Sequence, residues 1–449
     1  MRPDVRERLR ILNPWLTCSP GEGRALLQRF LPARYVARRA SPRQVGDEHA
    51  VIVVGPRQAG KSTLTWHHLE PLFPSVLFLN AEDTLVREAC ASAGELADLI
   101  RRGYPGLKVV FLEEAQHLTE AGLLVKGLVD ARLGVQVWVT GSSSYHLCAR
   151  TRETLAGRAT RVKVLPFSLP ELLAHEAGDL GPEGRNSVAD RLVARQLILG
   201  SFPAVWLAGD DGVRQRLLFE YVESFVLRDA SDVHRVRNVP AFRRLLGLIA
   251  VQMGNLVNLA ALGATCGVDA ATIDSYLEIL DESHVVTRLR PYAGGRRREL
   301  TQAPKLYFVD SGLRNALRND FSPELATRID AGALLENWAF AEITKCLDLL
   351  DGLGYWRSTN GAEVDFVIEH AGEVAGLEVK ASVLRRPEIT RSSRSFLEAY
   401  KPRRFAVLNL GLHDSVIEVG QTAVAHLTPR TFHTWLETIL GRGILPLIR

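Results

Sequence analysis

Short apolar runs alternate with stretches of helical periodicity from Val51 onward. The runs Val51–Val54, Val76–Leu79, Val109–Leu112 and Val135–Thr140 read as strands separated by helices. Strands and helices taking turns in this way predict a parallel sheet. Ahead of them, residues 1–48 are rich in arginine and hold one short predicted helix near 23–31. Two prolines interrupt regular structure in Leu165-Pro-Phe-Ser-Leu-Pro170, which reads as a boundary. Residues 170–250 then read as nearly continuous helix, broken near Gly178–Gly184, Gly200–Pro203 and Gly209–Gly212.

The pattern changes again after 250. Leu259–Cys266 and Ala270–Glu282 are short amphipathic helices joined by Gly267-Val-Asp, and a β run, His284–Tyr292, follows. Helix, turn, helix, hairpin is the order of a winged helix-turn-helix. The remaining chain reads as a helix (332–349), three short strands (354–358, 363–369, 374–380), a helix (388–400) and a strand (404–410).

At 449 residues the chain is too long for one core and is expected to form two to four domains. No apolar run reaches the roughly 18–20 residues needed to cross a bilayer, and the first residues lack the apolar region of a secretory signal. The expected location is therefore cytoplasmic, with no membrane partner. Five cysteines, at 18, 90, 148, 266 and 346, form no CxxC pair, which argues against a zinc site or a disulfide framework. The net charge of +4 does not by itself announce a nucleic-acid binder. Only eight of the 55 basic residues are lysine, so each lysine draws notice. Lys61 and Lys380 both end motifs whose chemistry favours a compact ammonium.

Gly55-Pro-Arg-Gln-Ala-Gly60-Lys61-Ser62 matches the P-loop pattern in full, after a strand and before a helix. Backbone N–H groups of Gly55, Pro56, Arg57, Gln58, Ala59, Gly60, Lys61, Ser62 and Thr63 (proline excepted) would wrap the phosphates of ATP at a helix N-terminus. Lys61 would reach the β- and γ-phosphates, and Ser62 would place its hydroxyl on Mg²⁺. Glu113 and Glu114 end the third strand; Glu113 would hold the metal's water and Glu114 would polarise the attacking water. Ser142, in Thr140-Gly-Ser-Ser-Ser144, would sense the γ-phosphate. Arg158, in Leu155-Ala-Gly-Arg158, is either an arginine finger for a neighbouring subunit or a surface arginine.

Taken together with Phe111-Leu-Glu-Glu-Ala-Gln116, Pro304-Lys-Leu-Tyr-Phe-Val-Asp310, Leu334-Leu-Glu-Asn337, Glu363-Val-Asp-Phe366 and Leu377-Glu-Val-Lys380, these motifs resemble one family. It is the bacterial and archaeal AAA-type ATPases that carry a C-terminal DUF4143 domain, and the resemblance spans about residues 35–425. The chain departs from the family twice. Glu113 stands in place of the usual aspartate, with a carboxylate moved by roughly 1.5 Å. Gly200-Ser-Phe-Pro203 stands where Gly-Gly-Tyr/Phe-Pro is common. The resemblance implies an α/β fold class: a P-loop AAA-like ATPase core, a helical lid, a winged helix-turn-helix and a C-terminal restriction-endonuclease-like α/β domain. The expected boundaries are 1–48 for an N-terminal segment, 49–165 for the core, 166–250 for the lid, 251–310 for the winged helix and 311–449 for the nuclease-like domain.

Glu336, Asp365, Glu378 and Lys380 resemble the active-site set of PD-(D/E)xK nucleases and Holliday-junction resolvases. Glu378 and Lys380 would share one strand face. Asp365 and Glu378 would bind Mg²⁺, and Lys380 would position a water. An active nuclease and a silent fold stay open alternatives. In the winged helix, the second helix is acidic, and positive charge sits instead at Arg288, Arg290, Arg296, Arg297 and Arg298. These suit backbone or minor-groove contacts to DNA rather than base reading. Two functions are expected from the whole pattern. One is an oligomeric ATP-hydrolysing protein acting on DNA, structure-directed and including branched forms. The other is a nucleotide-dependent regulatory switch, in defence or toxin–antitoxin control, with a silent nuclease-like domain.

Overall fold

The computed structural model describes residues 2–441 except 43–45, 48, 142–154, 156, 179, 225–235, 293, 295–302 and 349. The chain divides into two compact units: Met1–Leu165 with Glu282–His284, and Pro166–Asp281 with Val285–Arg449. The boundary at Leu165 coincides with the proline-interrupted stretch, where neither helix nor strand can continue.

The first unit is built on a five-stranded parallel sheet. Its strands are β1 (Ala50–Val54), β2 (Val76–Asn80), β3 (Val109–Glu113), β4 (Gln136–Gly141) and β5 (Ala159–Lys163), in the order β2-β3-β4-β1-β5. Every residue of β1 is buried, and alternate side chains enter different cores. Ala50, Ile52 and Val54 join the core that contains Val5, Leu9 and Leu124, whereas Val51 and Val53 join that of Trp66, Phe78 and Phe111.

The outer edge of β2 is closed by the N-terminal stretch. Helix Pro3–Leu12 leads into Asn13, whose amide donates to the Phe78 carbonyl at 2.9 Å and accepts from the Phe78 N–H at 2.6 Å. Trp15 Nε1 donates to the Val76 carbonyl at 2.7 Å. An exposed strand edge is a template for unwanted pairing, and these bonds occupy it. The second N-terminal helix runs Pro20–Leu27, starting earlier than the predicted 23–31 because Ser19 and Glu22 form a capping box around Pro20.

The second unit begins with helices, including Leu169–Ala177, Pro182–Leu199 and Val239–Gln252. Helices Leu259–Cys266 and Ala270–Glu282 precede an antiparallel pair, β6 (Val286–Leu289) and β7 (Lys305–Phe308). A six-stranded mixed sheet follows: β8 (Gly352–Arg357), β9 (Glu363–His370), β10 (Glu373–Val379), β11 (Arg404–Leu408), β12 (Ser415–Val419) and β13 (Thr422–Leu427), ordered β12-β13-β11-β10-β9-β8. Helix Arg391–Tyr400 connects β10 to its parallel neighbour β11 and buries Phe396 and Leu397 against Val367, Phe405 and Val407. Helix Ala331–Cys346 packs against β7 and β10.

Candidate functional site

The P-loop leaves β1 at a point where only glycine fits. Gly55 has φ of +150°, and a Cβ there would lie 1.9 Å from the Val164 carbonyl oxygen. Gly60 (φ +90°) starts helix Lys61–Leu69, so the loop's N–H groups and the helix N-terminus face one place. Lys61 is 5% exposed and its ammonium donates to the carbonyls of Gly55 (3.1 Å) and Pro56 (2.9 Å). Buried Arg38 braces the loop from outside the motif: it donates to the Ala59 carbonyl at 2.9 Å and also to the Leu165 carbonyl.

Glu113, at the position expected to hold aspartate, lies near the Ser62 hydroxyl and the Lys61 ammonium, and both act to lower its pKa. Burial pushes the Glu113 pKa up, and the carboxylates of Glu114 and Glu82 add to that rise, against the Ser62 hydroxyl and the Lys61 charge. A cation between Ser62 and Glu113 would relieve this repulsion, so the residues fit Mg²⁺ bound with a nucleotide.

Glu114 takes a left-handed backbone conformation (φ +53°), and its N–H donates to the hydroxyl of buried Thr140 at 3.4 Å. Its carboxylate accepts from the Gln116 amide. Glu82, Glu114 and His117 bring their ligand atoms within 4.8 Å of one another. Arg38, Glu82, His117 and Thr140 lie outside the P-loop motif; only Thr140, ending an apolar strand next to Gly141, had a visible signal in sequence. Ser142 lies outside the described residues. Arg158 stands just before β5, where its carbonyl accepts from Ala50 N–H at 2.8 Å, at the end of β1 away from the P-loop. Its guanidinium pairs with Asp130 at 3.2 Å, both half-exposed.

In the second unit, Asp365 on β9 accepts from the Val379 N–H at 2.8 Å. Glu378 on β10 accepts hydroxyls from Thr390 (2.9 Å) and Ser393, and Lys380, just past the strand's end, lies 3.7 Å from it. Glu336 accepts from the Tyr307 hydroxyl. Burial raises the pKa of Asp365 well above the usual carboxylate range, and Glu336 and Glu378 push the same way. Unforeseen in the sequence is Lys305, which is 4% exposed on its side chain and lies 2.5 Å from Glu363 and 3.5 Å from Glu336. Burial pulls its pKa down, but Glu336, Asp365 and Glu363 outweigh this and hold it above its ordinary value. Its membership of a lysine-poor set and of the Pro304–Asp310 motif was the available signal.

On the hairpin, Arg288 pairs with Asp274 (3.0 Å) and Asp281 (3.4 Å) of the acidic helix. Arg290 is exposed, and Arg296, Arg297 and Arg298 lie outside the described residues. Among the described residues, no helix is long and apolar enough to cross a membrane.

Comparison with known proteins matches residues 47–173 to an AAA domain, 190–324 to a domain of unknown function, DUF8612, and 331–428 to another, DUF4143. An uncharacterized protein of Mycobacterium tuberculosis is 30% identical over 378 residues, covering 82% of this chain and 79% of that protein. An uncharacterized protein of Methanocaldococcus jannaschii is 23% identical over 371 residues, covering 80% of each. Among solved structures, the Walker-type ATPase of Pyrococcus abyssi is similar over 60% of this chain and 91% of that one, with 16% identity and a TM-score of 0.41. With its P-loop sheet, its C-terminal mixed sheet and a relative this similar over four-fifths of its length, the chain belongs to the family of AAA-domain proteins that carry a C-terminal DUF4143 domain.

Proposed function

We propose that the chain hydrolyses ATP at the P-loop and acts on DNA, structure-directed rather than sequence-specific. The observation that carries the ATPase reading is the loop itself: Gly55 and Gly60 in glycine-favouring conformations, with the buried Lys61 ammonium turned onto the carbonyls of Gly55 and Pro56 at the start of a helix. Nearby Glu113 feels both the Ser62 hydroxyl and the Lys61 charge, which lower its pKa against burial. Ser62 and Glu113 would hold Mg²⁺, which supplies positive charge against the β- and γ-phosphate oxygens. Lys61 exchanges its bonds to Gly55 and Pro56 for phosphate oxygens. Glu114, fixed by Thr140 and Gln116, orients the attacking water and takes up its proton. The DNA reading is supported by the helix–turn–helix–hairpin order, by exposed Arg290, and by the sequence run Arg296–Arg298 between the two hairpin strands in chain order. The test is ATP turnover measured with single-stranded, duplex and branched DNA. Turnover should rise with DNA and vanish in Lys61→Ala; turnover indifferent to every DNA form would remove the DNA reading.

A second reading, a nucleotide-dependent switch, is favoured by one observation. Arg288 is engaged by Asp274 and Asp281, which lowers the charge the hairpin offers to phosphates. Light scattering in nucleotide-free, ADP and ATP-analogue states tests it: a switch changes assembly size between them, and a constant size argues against it.

A further inference from the structure

The nuclease resemblance implies a divalent metal held by Asp365 and Glu378, with Glu336 beside them. The residues around this set do not fit that ion. The Lys305 ammonium already lies among the carboxylates, 2.5 Å from Glu363 and 3.5 Å from Glu336, with its side chain 4% exposed. A buried lysine is tolerated only where carboxylates compensate it, and here they come from two different elements, helix Ala331–Cys346 and β9. Arg357 adds a second cation 3.4 Å from Glu363.

One oxygen of each of the three carboxylates also has its own donor. Tyr307 donates to Glu336, the Val379 N–H to Asp365, and Thr390 and Ser393 to Glu378. A metal would be left with the remaining oxygens and would have to share the cluster with an ammonium it repels. Among the described residues, three ligand atoms converge to within 4.8 Å at Glu82, Glu114 and His117 of the first unit, and these C-terminal carboxylates form no such group.

We infer that Lys305 is the resident cation of the C-terminal carboxylate cluster: its ammonium takes the place a divalent ion would need, and the cluster clamps β7 to helix Ala331–Cys346 and β9 instead of cleaving phosphodiesters. This goes beyond the proposed ATPase reading and is independent of it. It also accounts for a lysine at position 305 in a chain that otherwise prefers arginine. A compact ammonium fits between two carboxylates from different elements, where a planar guanidinium needs a wider fork.

The test is Mn²⁺ binding to the full-length, nucleotide-free chain, followed by electron paramagnetic resonance and calorimetry, with Asp365→Asn as the reference. The wild type should show no Mn²⁺ site that Asp365→Asn removes, and its melting temperature should be the same with and without EDTA. Lys305→Met, with the ammonium gone, should gain one Mn²⁺ site that the added Asp365→Asn change abolishes. A wild-type site lost in Asp365→Asn overturns the inference, as does Mg²⁺-dependent DNA cleavage by wild type that is absent in Lys380→Ala. A folded Lys305→Met that gains no site overturns it too. If Lys305→Met does not fold, the wild-type measurements still decide. No readout depends on ATP turnover, so the outcome is separate from that of the ATPase assay.

Discussion

Gly200 and Asp310 are fitted to one another: a Cβ on Gly200 would lie 1.8 Å from Oδ1 of Asp310. Asp310 is buried and uses both oxygens. Oδ1 accepts from Gly312 N–H (2.8 Å) and Leu313 N–H (3.3 Å), capping helix Ser311–Arg318, while Oδ2 accepts from Ser201 N–H (2.7 Å). Two motifs far apart in sequence, Gly200–Pro203 and Pro304–Asp310, are thus halves of one joint. Gly200 also takes φ +69° and ψ −161°, a region open essentially to glycine alone.

Gly200→Ala is expected to destabilise the protein by about 2–4 kcal/mol, from backbone strain and the clash together. Asp310→Asn keeps one acceptor but turns an NH₂ toward Ser201 N–H, at a cost of about 1–3 kcal/mol. Chemical denaturation of both variants checks this. Wild-type midpoints would mean that the joint carries no stability.

Glu113→Gln keeps the side chain's length and removes its charge, so the Mg²⁺ concentration that half-saturates ATP turnover should rise about tenfold, equivalent to roughly 1.4 kcal/mol. Because burial and the neighbouring carboxylates raise the Glu113 pKa, the acid limb of Mg²⁺ dependence should lie above the ordinary 4.5 of a glutamate. That limb should be absent in Glu113→Gln. A magnesium titration over a pH series measures both.

The sequence made β1 to β4 legible because each is a run of buried aliphatic and aromatic residues. It hid β5, Ala159–Lys163, in which Val162 alone is buried, because an edge strand lacks the apolar signature. β12 was hidden for the same reason, its residues alternating between half-buried and exposed. The P-loop was readable since its chemistry is contiguous. The role of Lys305 was not, because its carboxylate partners lie 31 and 58 positions further on, at Glu336 and Glu363, and only folding brings them within reach. Asn13 and Trp15 were silent for a similar reason: closing a strand edge requires no motif.

A buried network predicts how stability depends on pH. Glu342 accepts from Lys345 (2.6 Å), His433 Nε2 (2.6 Å) and the Leu169 N–H (2.8 Å). Burial alone would lower the His433 pKa, but its bonds to Cys346 and Glu342 raise it from 6.5 to about 9. Burial would raise Glu342, but Lys345 and His433 hold it down from 4.5 to about 2. The His433 contribution is complete below pH 6.5 and lost as pH climbs through about 9; that of Glu342 is complete above 4.5 and lost as pH falls through about 2. Stability from this network should therefore be flat between 4.5 and 6.5 and decline on both sides. His433→Gln should lose about 3 kcal/mol at pH 6 and abolish the alkaline decline. Melting temperatures of the two proteins from pH 4 to 10 provide the check.

Arg158 offers a test of whether the ATPase works between subunits. Its position just before β5, five residues and roughly 16 Å before the level of Val54, keeps it from the P-loop of its own chain. Its pairing with Asp130 is half-exposed, so Arg158→Ala should change stability by less than about 1 kcal/mol. An arginine finger acting in trans would nonetheless cost about 10³-fold or more in turnover when removed. Arg158→Ala has an intact Lys61, and Lys61→Ala has an intact Arg158. Each is expected to be inactive alone, yet a mixture of the two can form sites with Lys61 from one chain and Arg158 from its neighbour. Turnover in the mixture should exceed the sum of the two separate proteins and grow with concentration as subunits associate. If Arg158→Ala turns over ATP at the wild-type rate, the residue is a surface partner of Asp130 and nothing more.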